Sequence, residues 1–341
     1  MKLLRKLIVT PLILSLLAAC FCLHASAMVI YDGDFGFEVN ASKNEAKLVK
    51  YIGNGGAVTL PAYYRDYPVT VIDRNAFSGN TAITELVFSE TNTTVAEYAF
   101  MSCTSLETVT IPENVVSFGD RVFAKCTSLK TVTMQSDIVS MPTNIFSGCS
   151  SLENLTLNEN IAEFSYGCFN GCSSLTDLDF VSNGVLLQSY AFNGTGAESV
   201  VLSDSLLAIP KYAFTNCPNL RYVTIPESVT LIQPKACDWE NVTIRCYENS
   251  AAHSFAEENN LSYVLLRKVM LGNVNNDGEV NITDVTTIQQ YLAEMAEFDE
   301  LQQAAADANR DNTLDISDAT ALQMYLAGYE QVYPIGQFLT L

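Results

Sequence analysis

Ala99-Phe100-Met101-Ser102-Cys103-Thr104-Ser105-Leu106-Glu107-Thr108-Val109-Thr110-Ile111-Pro112 is the stretch on which the fold turns, because the chain writes it again and again. Its phenylalanine recurs as Phe77, Phe100, Phe123, Phe146, Phe169, Phe192 and Phe214, at a spacing of 23 that shortens once to 22. Cysteine follows three residues later at Cys103, Cys126, Cys149, Cys172 and Cys217. An aliphatic residue comes next (Ile83, Leu106, Leu129, Leu152, Leu175, Leu220). Then a short alternation begins: Val109 and Ile111, Val132 and Met134, Leu155 and Leu157, Leu178 and Phe180, Val223 and Ile225. A unit this small cannot bury its own apolar face, so the copies must stack and share one core. Their strands then form a parallel ladder about 4.8 Å apart.

This motif resembles the bacterial surface-antigen (BspA-like) type of leucine-rich repeat. The resemblance implies a solenoid over residues 71–265, its C-terminal cap included. Residues 28–70, with Phe35 to Val39 and Ala57 to Pro61, read as an N-terminal β cap. In the C-terminal cap, Ala251 to Glu258 reads as a short helix followed by an extended Tyr263 to Leu265. On the exposed side of the ladder the alternation places Thr108, Thr110, Thr131, Thr133, Asn154, Thr156, Asp177, Asp179, Tyr222 and Thr224. That ledge is polar and nearly free of aromatics, which favours a protein or surface ligand over a sugar.

A second pattern is written twice near the C-terminus, 34 residues apart. One copy, loop 273–284, has Asn273, Asn275, Asp277, Glu279, Asn281 and Asp284. The other, loop 307–318, has Asp307, Asn309, Asp311, Thr313, Asp315 and Asp318. Oxygen-bearing side chains fall at positions 1, 3, 5, 9 and 12, and position 7 offers its carbonyl. That is the ligand order of a twelve-residue calcium loop, in which a hard cation gathers six to eight oxygens. Gly278 and Asn312 stand where the curl demands a positive φ. An apolar stripe follows each loop (Val285, Ile288, Leu292; Ala319, Leu322, Leu326), predicting one amphipathic helix apiece. Leu271-Gly272 leaves no entry helix before the first loop, so each copy reads as half an EF-hand.

The run Gly272 to Asn281, with Ile288-Gln289-Gln290-Tyr291-Leu292, resembles a type I dockerin. The resemblance implies a small all-α module over 266–341 that binds two Ca2+ ions and docks on a cohesin domain of a cellulosome scaffoldin. The family's contact positions carry over to Ile282, Thr283, Gln289 and Gln290, and in the second copy to Ile316, Ser317, Gln323 and Met324. Two similar faces imply two binding orientations.

Residues 1–27 read as a signal peptide: Lys2, Arg5 and Lys6 precede an apolar run and the small residues Ala25-Ser26-Ala27. Leu17-Ala18-Ala19-Cys20 resembles a lipobox, the rival reading in which Cys20 is lipidated. No later apolar run approaches the length of a membrane span. The three cations are the only charged residues of that segment, so the remainder carries 15 basic against 38 acidic residues. That balance argues against nucleic acid and anionic membranes. The expected protein is secreted, in a cellulosome or on a cell surface.

Catalysis finds little support. Asp177 and Asp179, two apart on an expected strand, read as solvated acids, and His253 has no serine motif to serve. The repeats leave no room for a catalytic domain, and the ladder cysteines read as small buried hydrophobes. Pairing of Cys237 with Cys246 stays open. The sequence therefore points to a non-catalytic binding subunit with an unknown ligand for its repeats. A glycoside hydrolase with an unrecognised site and a surface adhesin are the alternatives.

Overall fold

The computed structural model describes residues 28–330 and 332–340, so the signal-peptide and Cys20 readings lie outside the described residues. The chain divides into two compact units, Met1–Val242 and Thr243–Leu341.

The first unit opens with the antiparallel strands Ile30–Asp32, Phe35–Asn40 and Glu45–Tyr51. Glu45–Tyr51 then pairs in parallel with Tyr67–Ile72, and the solenoid begins. One side of it is a five-stranded parallel sheet of Gly56–Thr59, Ile83–Val87, Thr108–Ile111, Thr131–Met134 and Asn154–Thr156. Its register superposes the repeats: Thr108, Thr131 and Asn154 are neighbours, as are Val109, Val132 and Leu155. The valines turn inward and are buried, while Thr108, Thr110, Asn154 and Thr156 are exposed, as the alternation predicted. A second row of two-residue strands, such as Ser140–Met141, Glu163–Phe164 and Leu186–Leu187, stacks in parallel elsewhere on each coil.

Between these rows the phenylalanines form one continuous stack. Phe100, Phe123, Phe146, Phe169, Phe192 and Phe214 follow one another at 5.4, 5.7, 5.8, 5.6 and 5.6 Å between ring centroids. Phe77 joins at 4.9 Å, and Tyr51 covers Phe77 at 5.1 Å. All seven phenylalanines are buried. One coil beyond Phe214, Cys237 takes the same place through a parallel bridge, a rung that its lack of a ring hid in the sequence.

The cysteines do more than fill space. Each ladder thiol donates to the carbonyl of a phenylalanine one coil back: Cys126 Sγ to Phe100 O, Cys149 to Phe123 O, Cys172 to Phe146 O and Cys217 to Phe192 O, all at 3.2 Å. Cys103 does so to Phe77 O at 3.4 Å. Burial pushes the Cys149 thiol up to about 12, so it stays protonated and unreactive. All eight described cysteines, Cys237 and Cys246 among them, are free thiols.

Each coil also turns twice through left-handed backbone, two residues before and two after its phenylalanine. The later position holds Gly79, Gly148, Gly171 and Gly194, where such a φ costs least. The earlier one holds Tyr98 (φ 60°), Arg121 (56°), Tyr190 (62°) and Tyr212 (64°), residues that ordinarily avoid it. Inter-coil bonds impose the conformation: Tyr98 N–H donates to Asp120 O at 3.0 Å and Ser102 N–H to Ala124 O at 2.8 Å.

One coil departs from the expected strand. Asp179–Asn183 is a 3-10 helix, so Asp177 and Asp179 do not lie two apart on a sheet face. The Asp177 carboxylate accepts the Asp179 N–H at 2.9 Å, and Ser182 Oγ donates to Asp179 O at 2.7 Å. These local bonds outcompete the ladder. Phe180 is apolar because it packs beside Phe164, Phe169 and Phe192.

In the second unit, strands Thr243–Tyr247 and Tyr263–Leu266 pair in parallel, and helix α1 (Ala251–Glu258) connects them. Ser250 caps α1 by accepting the His253 N–H. The rest is built on α2 (Ile282–Leu292), α3 (Glu300–Ala306) and α4 (Ile316–Leu326). Their core includes Leu271, Val274, Val285, Ile288, Phe298, Ala319, Leu322 and Ile335. The module is not wholly helical. Lys268–Met270 and Phe338–Thr340 pair antiparallel, and Gly336 N–H to Leu271 O at 2.8 Å extends the clasp. Among the described residues no helix is long and apolar enough to cross a membrane.

Candidate metal centre

Both twelve-residue loops curl as their ligand order requires. In the first, Asn273 Oδ1 and Asn275 Oδ1 both accept the Asp277 N–H, at 3.1 and 3.0 Å, which draws positions 1, 3 and 5 around one point. In the second, Asp307 Oδ1 and Asn309 Oδ1 accept the Asp311 N–H at the same two distances. The position-6 residues have the expected left-handed backbone, Gly278 at φ 91° and Asn312 at 63°. No Cβ neighbour crowds Gly278, so its φ alone makes glycine the favoured residue there.

The last position of each loop, Asp284 and Asp318, belongs to a helix and is fully buried. Asp284 Oδ1 accepts from Val274 N at 2.7 Å and Asn275 N at 3.1 Å, and its Oδ2 accepts from Asn281 N at 2.9 Å. Asp318 Oδ1 accepts from Asn309 N at 3.3 Å and its Oδ2 from Asp315 N at 3.0 Å. One carboxylate thus ties the start of the loop to the first turn of the helix. The position-9 residues, Asn281 and Asp315, are the N-caps of α2 and α4, each in a capping box with the buried aspartate three residues on. Their side-chain oxygens accept the Thr283 N–H at 2.8 Å and the Ser317 N–H at 2.7 Å.

Electrostatics differ between the loops. The Glu279 N–H and the Asn275 amide hold Asp277 below the usual carboxylate range. Ser317 does the same for Asp315 through its hydroxyl and its N–H. Burial pushes Asp318 up. Among the described residues no three His, Cys, Asp or Glu side chains cluster as a metal site by themselves. The loops instead mix carboxylates with asparagine amides and backbone carbonyls, an all-oxygen set that suits a hard cation and not zinc.

The first loop has two carboxylates at ligand positions (Asp277, Asp284), and the second has four (Asp307, Asp311, Asp315, Asp318). Affinity follows ligand charge. Calorimetric titration is expected to show two unequal calcium sites, with the tighter one lost in Asp311→Ala; loss of the weaker one instead would reverse the order.

The eight expected partner residues are all exposed: Ile282, Thr283, Gln289 and Gln290 on α2, and Ile316, Ser317, Gln323 and Met324 on α4. Ile282 and Ile316 show the same 63% exposure, which marks them as equivalent apolar positions held out to solvent. Sequence reasoning missed α3, which enters the second loop directly because its C-cap is Asp307, the first residue of that loop. The signal was present, since Asp299 and Gln302 form a capping box. His253 Nδ1 accepts the Asn249 N–H at 3.1 Å, and its Nε2 lies 3.5 Å from Glu257 Oε1.

The family described as BspA type leucine rich repeat region matches residues 70–196 and 185–291, in six copies and over more than half of the chain. The chain belongs to the BspA-type leucine-rich repeat family. The dockerin type I domain matches residues 271–327 of this repeat protein, the segment that holds both loops and α2 to α4. Among solved structures the repeat protein is similar to a leucine rich cell surface protein of Faecalibacterium prausnitzii. The two are 24% identical, with 61% of this chain and 73% of that one covered and a TM-score of 0.42. A leucine rich repeat protein of T. pallidum is 22% identical, over 60% of this chain and 86% of that one, with a TM-score of 0.46. A leucine-rich repeat protein of Eubacterium ventriosum is 24% identical, over 62% and 49%, with a TM-score of 0.44. No curated protein matches the chain.

Proposed function

We propose that this protein is a secreted, non-catalytic binding subunit of a cellulosome-like complex. Its repeat unit recognises an extracellular protein or surface ligand, and its dockerin docks on a cohesin domain of a scaffoldin when both loops hold Ca2+. The observation that carries the reading is the duplicated loop-and-helix geometry, which holds the same exposed side-chain positions on α2 and α4. Each exposed face begins in the first turn of its helix, directly after loop position 9, so the ion that closes the loop also sets the docking surface. The coils supply a rigid, polar sheet face for the other ligand.

Cohesin pull-down tests the docking. Immobilised cohesins are expected to retain the full chain in millimolar calcium and release it in excess EDTA. Retention that survives the chelator would remove the calcium link, and no retention on any cohesin would remove the docking reading itself.

A further inference from the structure

Thr283 and Ser317 stand at position 11 of their loops, exposed and in the expected partner set, yet their hydroxyls are already engaged. Asn275 Nδ2 donates to Thr283 Oγ1 at 2.8 Å, and Thr283 Oγ1 donates to Asn281 Oδ1 at 2.6 Å. In the second loop Asn309 Nδ2 donates to Ser317 Oγ at 2.7 Å, and Ser317 Oγ donates to Asp315 Oδ1 at 2.6 Å. The two loops differ in the hydroxyl residue and in the acceptor, but the relay is the same.

The chemistry of an amide gives the relay a purpose. Position 3 is asparagine in both loops, and a cation accepts its oxygen while its NH2 repels the charge. Asn275 Nδ2 is turned towards Thr283 Oγ1 and, at 2.9 Å, towards Asp277 Oδ2. Its Oδ1 lies instead on the Asp277 N–H, on the inner side of the loop. Asn309 has the same arrangement. Of the groups that fix this orientation, the hydroxyl is the one supplied by the helix. It spends its single proton on the position-9 cap and one lone pair on the position-3 amide, so one lone pair remains.

We propose that Thr283 and Ser317 are positioning residues for calcium: each orients the position-3 amide so that its oxygen faces the ion. This rests on the calcium-dependent docking reading above and deepens it. The hydroxyl a partner would touch is the one that the loaded loop holds in place. By reciprocity, a partner that fixes that hydroxyl tightens calcium by the factor by which calcium tightens the partner.

Calcium titration of the full chain by calorimetry tests this with Thr283→Val, Thr283→Ser and Ser317→Ala. Removing an outer group that orients a metal ligand typically weakens the metal ten- to a hundredfold. Thr283→Val is expected to weaken one of the two sites by about tenfold and leave the other unchanged. Thr283→Ser keeps the parent affinity, and Ser317→Ala weakens the other site. A role in packing alone would leave Thr283→Ser impaired, since it lacks the methyl, and that result overturns the proposal. So do parent affinities at both sites in Thr283→Val and Ser317→Ala, while calcium binding by the parent would still leave the docking reading standing. A parent chain that binds no calcium instead defeats the reading underneath. Should Thr283→Val fail to fold, Ser317→Ala decides alone, because it removes only a hydroxyl from an exposed side chain.

Discussion

Phe146→Ala is expected to destabilise the repeat unit by about 3–5 kcal/mol, the usual cost of deleting a buried phenylalanine. Phe146 is fully buried between Phe123 and Phe169, with ring planes 10° and 12° from theirs. Neighbouring coils hold each other by such contacts and touch little else, so the deletion damages two interfaces at once. The ladder's backbone bonds, including Phe146 N–H to Cys168 O at 3.0 Å, resist collapse into the void. Cys149→Ala is the matched control three residues away. It removes one thiol and its bond to Phe123 O, a neutral hydrogen bond worth about 1 kcal/mol. Urea unfolding should show the Phe146→Ala midpoint falling several times further than that of Cys149→Ala. Equal shifts would mean that the ring stack is not what holds the coils together.

The same contrast explains how much of this protein could be read in advance. A feature repeated in every coil announces itself, so the phenylalanine period, the inward valines and the buried cysteines were legible. Features set by a single local bond were not. Leu178 and Phe180 alternate like a strand, but the Asp177 carboxylate captures the Asp179 N–H and turns the chain aside. Tyr98, Arg121 and Tyr212 gave no sign of left-handed backbone, because the cause is an inter-coil bond from each N–H and not the residue. The curl of the two loops was legible because the positions that set it lie within twelve residues, with left-handed backbone at Gly278 and Asn312. The clasp was not: Phe338–Thr340 pairs with Lys268–Met270 across the whole module, and no local pattern marks it. The Thr283 relay needs the N-cap geometry of α2, which exists only once loop and helix have met.

Asp284→Asn, although nearly isosteric, is expected to abolish calcium binding at the first loop and to lower the stability of the second unit even in EDTA. The parent carboxylate is buried and accepts three backbone N–H groups, two on Oδ1 and one on Oδ2. An amide has one accepting end. Whichever way it turns, its NH2 meets a backbone N–H, either from Asn281 or from Val274 and Asn275. A buried donor left without an acceptor costs about 1–3 kcal/mol, so the loss does not depend on the ion. Asp277→Asn is the discriminating partner, because Asp277, at position 5 of the same loop, is exposed with no such burial. It should weaken calcium yet leave the EDTA melt where the parent's is. Scanning calorimetry with and without chelator separates the two: Asp284→Asn shifts the melt in both conditions, Asp277→Asn only with calcium. If both variants shift it only with calcium, the buried carboxylate acts as a ligand and nothing more. The loop would then owe its closure to the ion and not to the three N–H groups gathered on Asp284.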